Sequence, residues 1–559
     1  MEPLILPWTA GEAGIVQPCL LAAITGILSH LLYFIRGYHV TSAYGILMAH
    51  TSIYAALTVA ATSQTGLVSG ILVSTAMFTS YLAALFTSII IYRVFFHRLS
   101  HFPGPLFAKM TKFYGPWTNR NGQMHIEQNK LFEKYGSDIV RIAPNELAIL
   151  STDAIQKIHS SRSGCRKRNA GVYDVLHYKG EYNLDSILDR EEHRYRRQVW
   201  EKAMTTSSLA AYEKSTREIC HRWLNKIVSV DGKPIDTSLF SLLITFDHMG
   251  KIGFSHEFGT IEAGEENRML RLLEIMFGQV AKMGELAWPV ALLKGFNVGG
   301  EAAEFDELAK QMADSRERED DSENGKEDIL KHFIRDLRAE KPLAFFNRNV
   351  LYSDAGLVLV GATDTIAAAL SYAFYHLATH PLTQEKLYNE ISNVFGKSVS
   401  SEFANTDLSK IAYLDAVIDE TLRLDNPVCN NAARMVPPEG LVVDGVFIPG
   451  GSAIRVPGYA MQRSDKAFVR AGEFIPERWT TEPDLVLDRA AFMPFLVGPN
   501  NCVGKRLAMM VLRLVLSYTV YKYRFELAAG EDGTAIRREA VNNLILKPGP
   551  LNLVFTNRQ

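Results

Sequence analysis

The chain holds only five cysteines in 559 residues, Cys19, Cys165, Cys220, Cys429 and Cys502, odd in number and widely scattered. No disulfide framework follows from that spacing, and without a Cys-x-x-Cys pair there is no signal for a zinc or dithiol redox site. Charge of one sign is lacking too: 59 lysines and arginines face 61 aspartates and glutamates, a formal charge of −2. Nothing therefore makes an electrostatic case for nucleic acid as a partner. No Asn-x-Ser/Thr sequon occurs, in keeping with a catalytic portion outside the secretory lumen. The N-terminus carries Glu2 and Glu12 where a signal peptide would carry lysine or arginine, so cleavage of a leader is not expected.

Long apolar runs are plentiful at the front. Residues 15–35, 43–62 and 67–94 follow one another as apolar stretches, each close to the roughly 20 residues a helix needs to cross a bilayer. Gly, Ala, Ser and Thr interrupt the second and third, as helix contacts inside a membrane permit. No basic residue precedes the first run, Arg36 follows it, and Arg93 and Arg98 close the third. Three spans with that charge bias predict a lumenal N-terminus and a cytosolic remainder. The alternative is one span, the third, with the first two at the interface. Residues 1–100 are thus expected to be a membrane-anchoring region with membrane lipid as partner. His101–Pro105, HFPGP, cannot continue a helix, and residues 101–559 read as one soluble domain without internal repeats.

In that domain, Asn349–Pro381 is long, rich in Ala and Leu and apolar on every face, which predicts a buried central helix. The mixed-charge run Asp314–Asp328 is expected to be a solvated loop. Short strand-like runs at Gly440–Gly451 and Leu551–Phe555 indicate small sheets. The expected fold class is mainly α with small β-sheets.

Several polar residues stand in unexpected places. Asp364 and Thr365 interrupt the central helix beside Gly361 and Ala362, and a buried carboxylate needs a partner or a task. A helix-bending threonine bonded to its own backbone is the bland alternative. Glu420 and Arg423 lie three apart on one helix face. Arg478 sits among aromatics in EFIPERW, and REEHRYRRQVW (Arg190–Trp200) gathers basic residues beside a tryptophan. Cys502 lies between a Gly-Pro-Asn-Asn turn and an apolar helix; for an isolated cysteine, an inert core thiol is the commoner role.

Taken in order, these stretches resemble the cytochromes P450, and the resemblance runs from about His101 to the C-terminus. Phe495, Gly498, Cys502 and Gly504 match the family's heme signature Phe-x-x-Gly-x-x-x-Cys-x-Gly. Glu420 and Arg423 match its Glu-x-x-Arg pair, Arg478 the arginine that joins it, and Gly361–Thr365 its oxygen-binding helix motif. The resemblance implies a P450 fold behind transmembrane helices, heme b ligated by Cys502, and consumption of O2 with NADPH electrons. It implies proton relay by Asp364 and Thr365, a structural network of Glu420, Arg423 and Arg478, and heme propionates held by His193, Arg197 and Arg434. Asn500 departs from the arginine or histidine common two residues before the cysteine, and Ile366 stands where a second threonine is common.

No fused flavin or nicotinamide module is visible, so electrons are expected from a separate NADPH–cytochrome P450 reductase in the endoplasmic reticulum membrane. By family analogy the pocket draws on Gly171–Val175, Val358, Ala362, Pro427–Asn430 and Asn542–Leu544, mostly small or apolar residues suited to a lipophilic small molecule. The whole looks like fungal enzymes of secondary metabolism acting on terpenoids or prenylated indole alkaloids. A non-oxygenating heme-thiolate isomerase or dehydratase, or an inactive heme-binding scaffold, would need Cys502 but not the Asp364–Thr365 pair.

Overall fold

The computed structural model describes residues 12–37, 39, 42–167, 173, 177–283, 286–289, 292, 296, 300–319, 326–396, 402–430 and 432–558. It opens with α1 (Glu12–Ser29), prolonged by a π turn at His30–Phe34, then α2 (Ala43–Thr65) and α3 (Leu67–Ile91), prolonged by a π turn at Tyr92–Phe96. The stretches Gly14–Phe34, Ala43–Thr65 and Leu67–Phe96 are each long and apolar enough to cross a membrane, and they coincide with the three expected runs to within a few residues. Helix α3 packs on both α1 and α2. At one crossing a Cβ on Gly26 would lie 2.3 Å from the Tyr81 carbonyl oxygen, so only glycine lets these backbones approach so closely. Polar side chains tie the bundle together: His30 Nδ1 and Ser88 Oγ share a hydrogen bond of 2.8 Å, and His50 Nε2 and the Tyr81 hydroxyl one of 3.1 Å.

The anchor does not hang from a free hinge. Arg98 donates to the carbonyl oxygens of Gly450 and Gly451 and to Asn145 Oδ1, and Arg93 donates to Met110 O at 2.9 Å. Arg141, fully buried, donates to the carbonyls of Arg93, Leu99 and Pro144. The HFPGP segment lies against the same strand, with the Arg141 amide donating to Pro103 O at 2.7 Å. The helical turns stop at Phe96, ahead of its two prolines, and the segment itself is packed against the strand that carries Arg141.

A five-stranded sheet comes next, made of β1 (Ile139–Ala143), β2 (Glu146–Ile149), β3 (Arg166–Lys167), β4 (Arg434–Met435) and β5 (Ala453–Arg455), in the order β1-β2-β5-β4-β3. Strands β3 and β4 run antiparallel, with Lys167 opposite Arg434. The helical bulk includes α4 (Thr152–His159), α5 (Arg190–Ala203), α6 (Thr206–Ser229), α7 (Thr237–Phe254), α8 (Arg268–Met283) and α9 (Gly300–Glu319). It continues with α10 (Arg348–Thr379), α11 (Pro381–Phe395), α12 (Ala412–Leu424) and α13 (Lys505–Lys522). Towards the C-terminus come β6 (Tyr523–Leu527), the hairpin β7 (Val541–Asn543) and β8 (Ile545–Lys547), and β9 (Asn552–Asn557).

Helix α10 is the expected central helix. Asn347 Oδ1 caps its start by accepting the Val350 amide at 3.1 Å, and Pro381 opens the next helix. It is apolar enough to cross a membrane, but 67% of its apolar stretch is buried in protein, against 17% or less for the three N-terminal helices. It packs along α7 and α9, so its apolarity serves the core.

The mixed-charge run departs from expectation. Residues up to Glu319 continue α9, residues 320–325 lie outside the described residues, and Arg316 and Asp328 form an ion pair with both side chains almost wholly buried. Asp328 also caps the helix Ile329–Leu337 by accepting the Lys331 amide. Mixed charge reads as solvation when its partners are unknown; here two opposite charges satisfy each other inside.

Replacing Arg141 by leucine removes the donor for three carbonyls at once. Arg141→Leu should cost about 3 kcal/mol and loosen the junction, seen as faster protease cleavage within residues 97–105 of membrane-embedded protein.

Candidate functional site

Cys502 is placed by a loop that could hardly be built from other residues. Gly498 has φ +75°, and a Cβ there would lie 1.8 Å from the carbonyl oxygen of His159 at the end of α4. A short 3-10 turn spans Gly498–Asn500, and the Cys502 amide donates back to Phe495 O at 2.9 Å. The sulfur then sits just ahead of α13, and a Cβ on Gly504 would come within 3.8 Å of it. Of the five cysteines Cys502 alone is exposed, although enough protein surrounds it that burial pushes its thiol up. The amides of Gly504 and Lys505 and the charge of Arg197 pull the other way, as donors at a helix start should for a thiolate.

Arg197 reaches the cysteine loop. Its guanidinium donates to Asn501 O at 2.5 Å, Asn501 Oδ1 at 2.6 Å, Pro499 O at 3.2 Å and Glu201 Oε1 at 2.8 Å. It clamps the cysteine loop from outside, because the guanidinium fork fits converging loop carbonyls better than an ammonium would. His193, one turn earlier on α5, is buried. Burial and then the charges of Lys167, Arg197 and Arg434 hold its imidazole down to about 3, so at neutral pH it is an uncharged group among cations.

Arg434 is buried and donates only to the carbonyls of Ala432 and Ala433 among the described residues. Directly across the β3–β4 ladder stands Lys167, also buried, bonded to Asp185 O at 2.6 Å and held down to about 8 chiefly by burial. Neither cation has an acidic side chain as ion-pair partner among the described residues. Like charges directly opposite each other destabilise a sheet, unless an anion joins them.

On α10, Thr365 donates its hydroxyl back to Gly361 O at 2.9 Å, the bland arrangement its sequence context allowed. Asp364 is half-buried. Burial pushes its carboxyl up to about 7, with Lys547 pulling it down and Glu274 and Glu266 adding to the rise. Of the expected pocket residues, Val358 is buried and Ala362 half-buried, while Gly171, Val172, Asp174 and Val175 lie outside the described residues. The β7–β8 hairpin is tied to Pro427 through the Leu546 amide at 2.8 Å.

Beneath this, Glu420 is fully buried and accepts five hydrogen bonds, each 2.9 Å long. They come from Arg423 Nε and Nη2, Arg478 Nε, the Ile475 amide and Trp479 Nε1. The remaining guanidinium donors of Arg423 and Arg478 reach carbonyls from Gln462 to Leu485.

The model of the family described as "Cytochrome P450" matches residues 103–555. The chain belongs to the cytochrome P450 family. It is 32% identical to the cytochrome P450 monooxygenase FCK2 of Fusarium pseudograminearum over 96% of this chain and 97% of that relative. It is 30% identical to the monooxygenase phqL of Penicillium fellutanum, over 96% of this chain and 94% of the other. It is 29% identical to tryprostatin B 6-hydroxylase of Aspergillus fumigatus, over 96% of both. The solved heme domain of a cytochrome P450DA mutant superposes with a TM-score of 0.68 at 16% identity, covering 82% of this chain and 98% of that one, a likeness of fold.

As a member of this family the protein is a monooxygenase that uses heme and O2, with NADPH-derived electrons supplied through a reductase. The residues present fit a heme. An exposed cysteine stands just ahead of a helix start, and two buried cations without acidic ion-pair partners among the described residues face each other, a pair that two propionates would offset. Sequence reasoning missed Lys167, which carries no motif and acquires its meaning only from the β3–β4 register. It also missed Trp479 as a donor to Glu420, although the residue is adjacent to Arg478.

Truncating Glu420 strands two buried guanidinium groups. Glu420→Ala should cost about 4 kcal/mol, read as near-complete loss of heme-loaded protein from membranes.

Proposed function

We propose that this protein is a membrane-bound heme-thiolate monooxygenase that hydroxylates or otherwise oxidises a lipophilic small molecule of fungal secondary metabolism, of terpenoid or prenylated indole alkaloid type. Residues 1–100 are the anchor, crossing the endoplasmic reticulum membrane up to three times. Residues 101–559 are the catalytic domain, facing the cytosol, where NADPH–cytochrome P450 reductase delivers electrons. The observation that carries this reading is Cys502, the exposed cysteine just ahead of α13, together with two buried cations, Lys167 and Arg434, that lack acidic ion-pair partners among the described residues. One relative is named for hydroxylating tryprostatin B, which supports the substrate class.

Cys502 would hold the heme iron through its sulfur, and the amides of Gly504 and Lys505 favour its thiolate form. When bound, heme supplies the activation of O2, for which a thiolate ligand favours O–O cleavage. Phe495 and Gly498 shape the cysteine loop, and Gly504 leaves room beside the sulfur. Arg197 keeps the loop in place. Arg434 and Lys167 hold the propionates, with neutral His193 as an added N–H donor; this answers the absence of a basic residue at Asn500. Asp364 would hold a proton near neutrality and pass it on together with the Thr365 hydroxyl, once that hydroxyl is released from Gly361 O. Glu420, Arg423 and Arg478 take no part in the chemistry and keep the cysteine loop's foundation rigid.

Reconstitution with reductase tests this directly. The parent should show the carbon monoxide difference band of thiolate-ligated heme and NADPH-dependent oxygen uptake. Cys502→Ala should lose the band; a retained band overturns the ligand assignment. Thr365→Ala should keep the band while product per oxygen consumed falls by about tenfold. An isomerase, dehydratase or scaffold would show no coupled oxygen uptake. Product analysis of host cells fed terpenoid and prenylated indole intermediates tests the substrate class.

Lys167→Met should leave the fold intact and speed heme loss to a competing apoprotein by several-fold, with Lys167→Arg close to the parent.

A further inference from the structure

A groove with a cavity volume of about 680 Å³ runs along the seam between α1 and α3, and among the described residues α2 contributes nothing to its lining. Ala23, Ile27 and Leu31 form its α1 wall, four residues apart and so on one helix face. The α3 wall, Ser80, Ala83, Ala84 and Thr87, is built of small side chains, and Ile91 follows towards the catalytic domain. From Ala23 to Leu31 the groove covers about 12 Å of α1, and from Ser80 to Ile91 about 17 Å of α3. Its volume lies within the roughly 300–1,000 Å³ of small-molecule sites.

One end of the groove is polar. His30 lines it and is only 2% exposed. Its Nδ1 shares the 2.8 Å hydrogen bond with Ser88 Oγ, its ring meets the edge of Tyr92 at 5.6 Å between centroids, and its Nε2 makes no hydrogen bond among the described residues. In hydrocarbon an unpartnered ring nitrogen is costly, since no water is at hand to satisfy it. A hydroxyl answers it whichever tautomer His30 takes, because a hydroxyl both donates and accepts. Among the described residues no Lys, Arg, Asp or Glu lines the groove, so nothing in it pairs with a phosphate or a zwitterionic head. Arg93, next to Tyr92, is turned to Met110 O. The polar end lies beside the junction with the catalytic domain, and Ala23 and Ser80 stand near the midpoints of the spans Gly14–Phe34 and Leu67–Phe96. The groove therefore runs from headgroup depth to the middle of the bilayer.

We propose that this groove binds one membrane sterol, with its hydroxyl on His30 Nε2 and its ring system on the small-residue wall of α3. The proposal rests on the reading of residues 1–100 as a membrane anchor. A flat, rigid ring system loses little conformational freedom on docking, whereas an acyl chain gives up rotamers along its whole length. Small side chains offer the smooth wall that such a body needs for close contact, as they do between helices. Ile27, Leu31 and Ile91, all exposed, give the groove apolar rims. Its length is that of one leaflet, half of the roughly 30 Å hydrocarbon core, which suits a molecule with a single polar end.

The test uses the full-length, heme-loaded protein in phosphatidylcholine vesicles. The probe is a sterol with a free hydroxyl and a diazirine on its ring system; after illumination, labelled peptides are identified by mass spectrometry. Label should concentrate on residues 23–31 and 80–91. Unlabelled sterol should displace it, while the same sterol without its hydroxyl, or phosphatidic acid, should compete about fivefold less well. His30→Leu should remove the preference for the hydroxyl, and His30→Gln, which keeps a donor and an acceptor, should retain it. Ala83→Phe fills the groove from its exposed side with His30 in place, and should abolish the label. Label spread evenly over the three helices, equal competition by the sterol without a hydroxyl, or parent-like labelling of Ala83→Phe overturns the site. Displacement by phosphatidic acid and not by sterol puts a phospholipid in the groove and overturns it as well. Washing with alkaline carbonate separates the two readings. If the wash strips the protein from the vesicles, the anchor falls and the sterol site with it. If the protein stays and the seam takes no label, the sterol site alone is wrong. The carbon monoxide band gives the amount of correctly loaded protein in every variant.

Discussion

Five hydrogen bonds to one carboxylate, that of Glu420, hold together two parts of the chain on which the heme loop stands. Helix α12 supplies Glu420 and Arg423, and the segment around Arg478 supplies the other donors. From there the coupling runs in covalent and hydrogen-bonded steps to the cysteine. Arg423 holds Gln462 O, and the Gln462 side chain accepts the Met493 amide at 3.2 Å, just ahead of the loop. The Trp479 ring lies against Phe492 with centroids 4.5 Å apart. A buried ion network of this kind is a poor source of net stability, because its desolvation cost is comparable to its attraction. It fixes geometry instead, since no other arrangement satisfies so many buried donors at once.

The same accounting separates charges that complete the fold from charges that wait for a ligand. Arg141 and Arg423 are as deeply buried as Arg434, yet each has its guanidinium engaged with several oxygens. Arg196 meets Asp354 inside. Lys167 and Arg434 have no such match among the described residues and face each other across a two-residue ladder, an unfavourable pairing in a sheet so short that it contributes little to offset it. A doubly anionic ligand edge between them would convert that repulsion into binding energy.

The sequence was legible where chemistry demands fixed residue types at fixed spacing. The signature around Cys502, the Glu420–Arg423 pair and the three apolar runs were all recognisable, because helix geometry, a bilayer's thickness and a heme's ligand needs act locally. The features that could not be read depend on the third dimension. The bonds of Arg197 to the cysteine loop join positions some 300 residues apart in the chain. Lys167 gained its place from pairing with a strand more than 260 residues later. The Asp314–Asp328 run looked solvated because composition cannot tell that Arg316 and Asp328 turn toward each other.

The two sides of the site are built on opposite electrostatic logic. Around Cys502 the chain gathers N–H donors and a guanidinium, which favour a thiolate against the burial that opposes it. Around Asp364, burial and then the charges of Glu274 and Glu266 push the carboxyl up to about 7 against the pull of Lys547. Conditions that favour a thiolate and conditions that favour a protonated carboxyl are opposite, and one environment cannot supply both. Helix α10, the long core helix, presents Asp364 to a cavity of its own, and the cysteine loop is held by α5 and the Glu420 network. That separation lets the chain shift the two groups by opposite means.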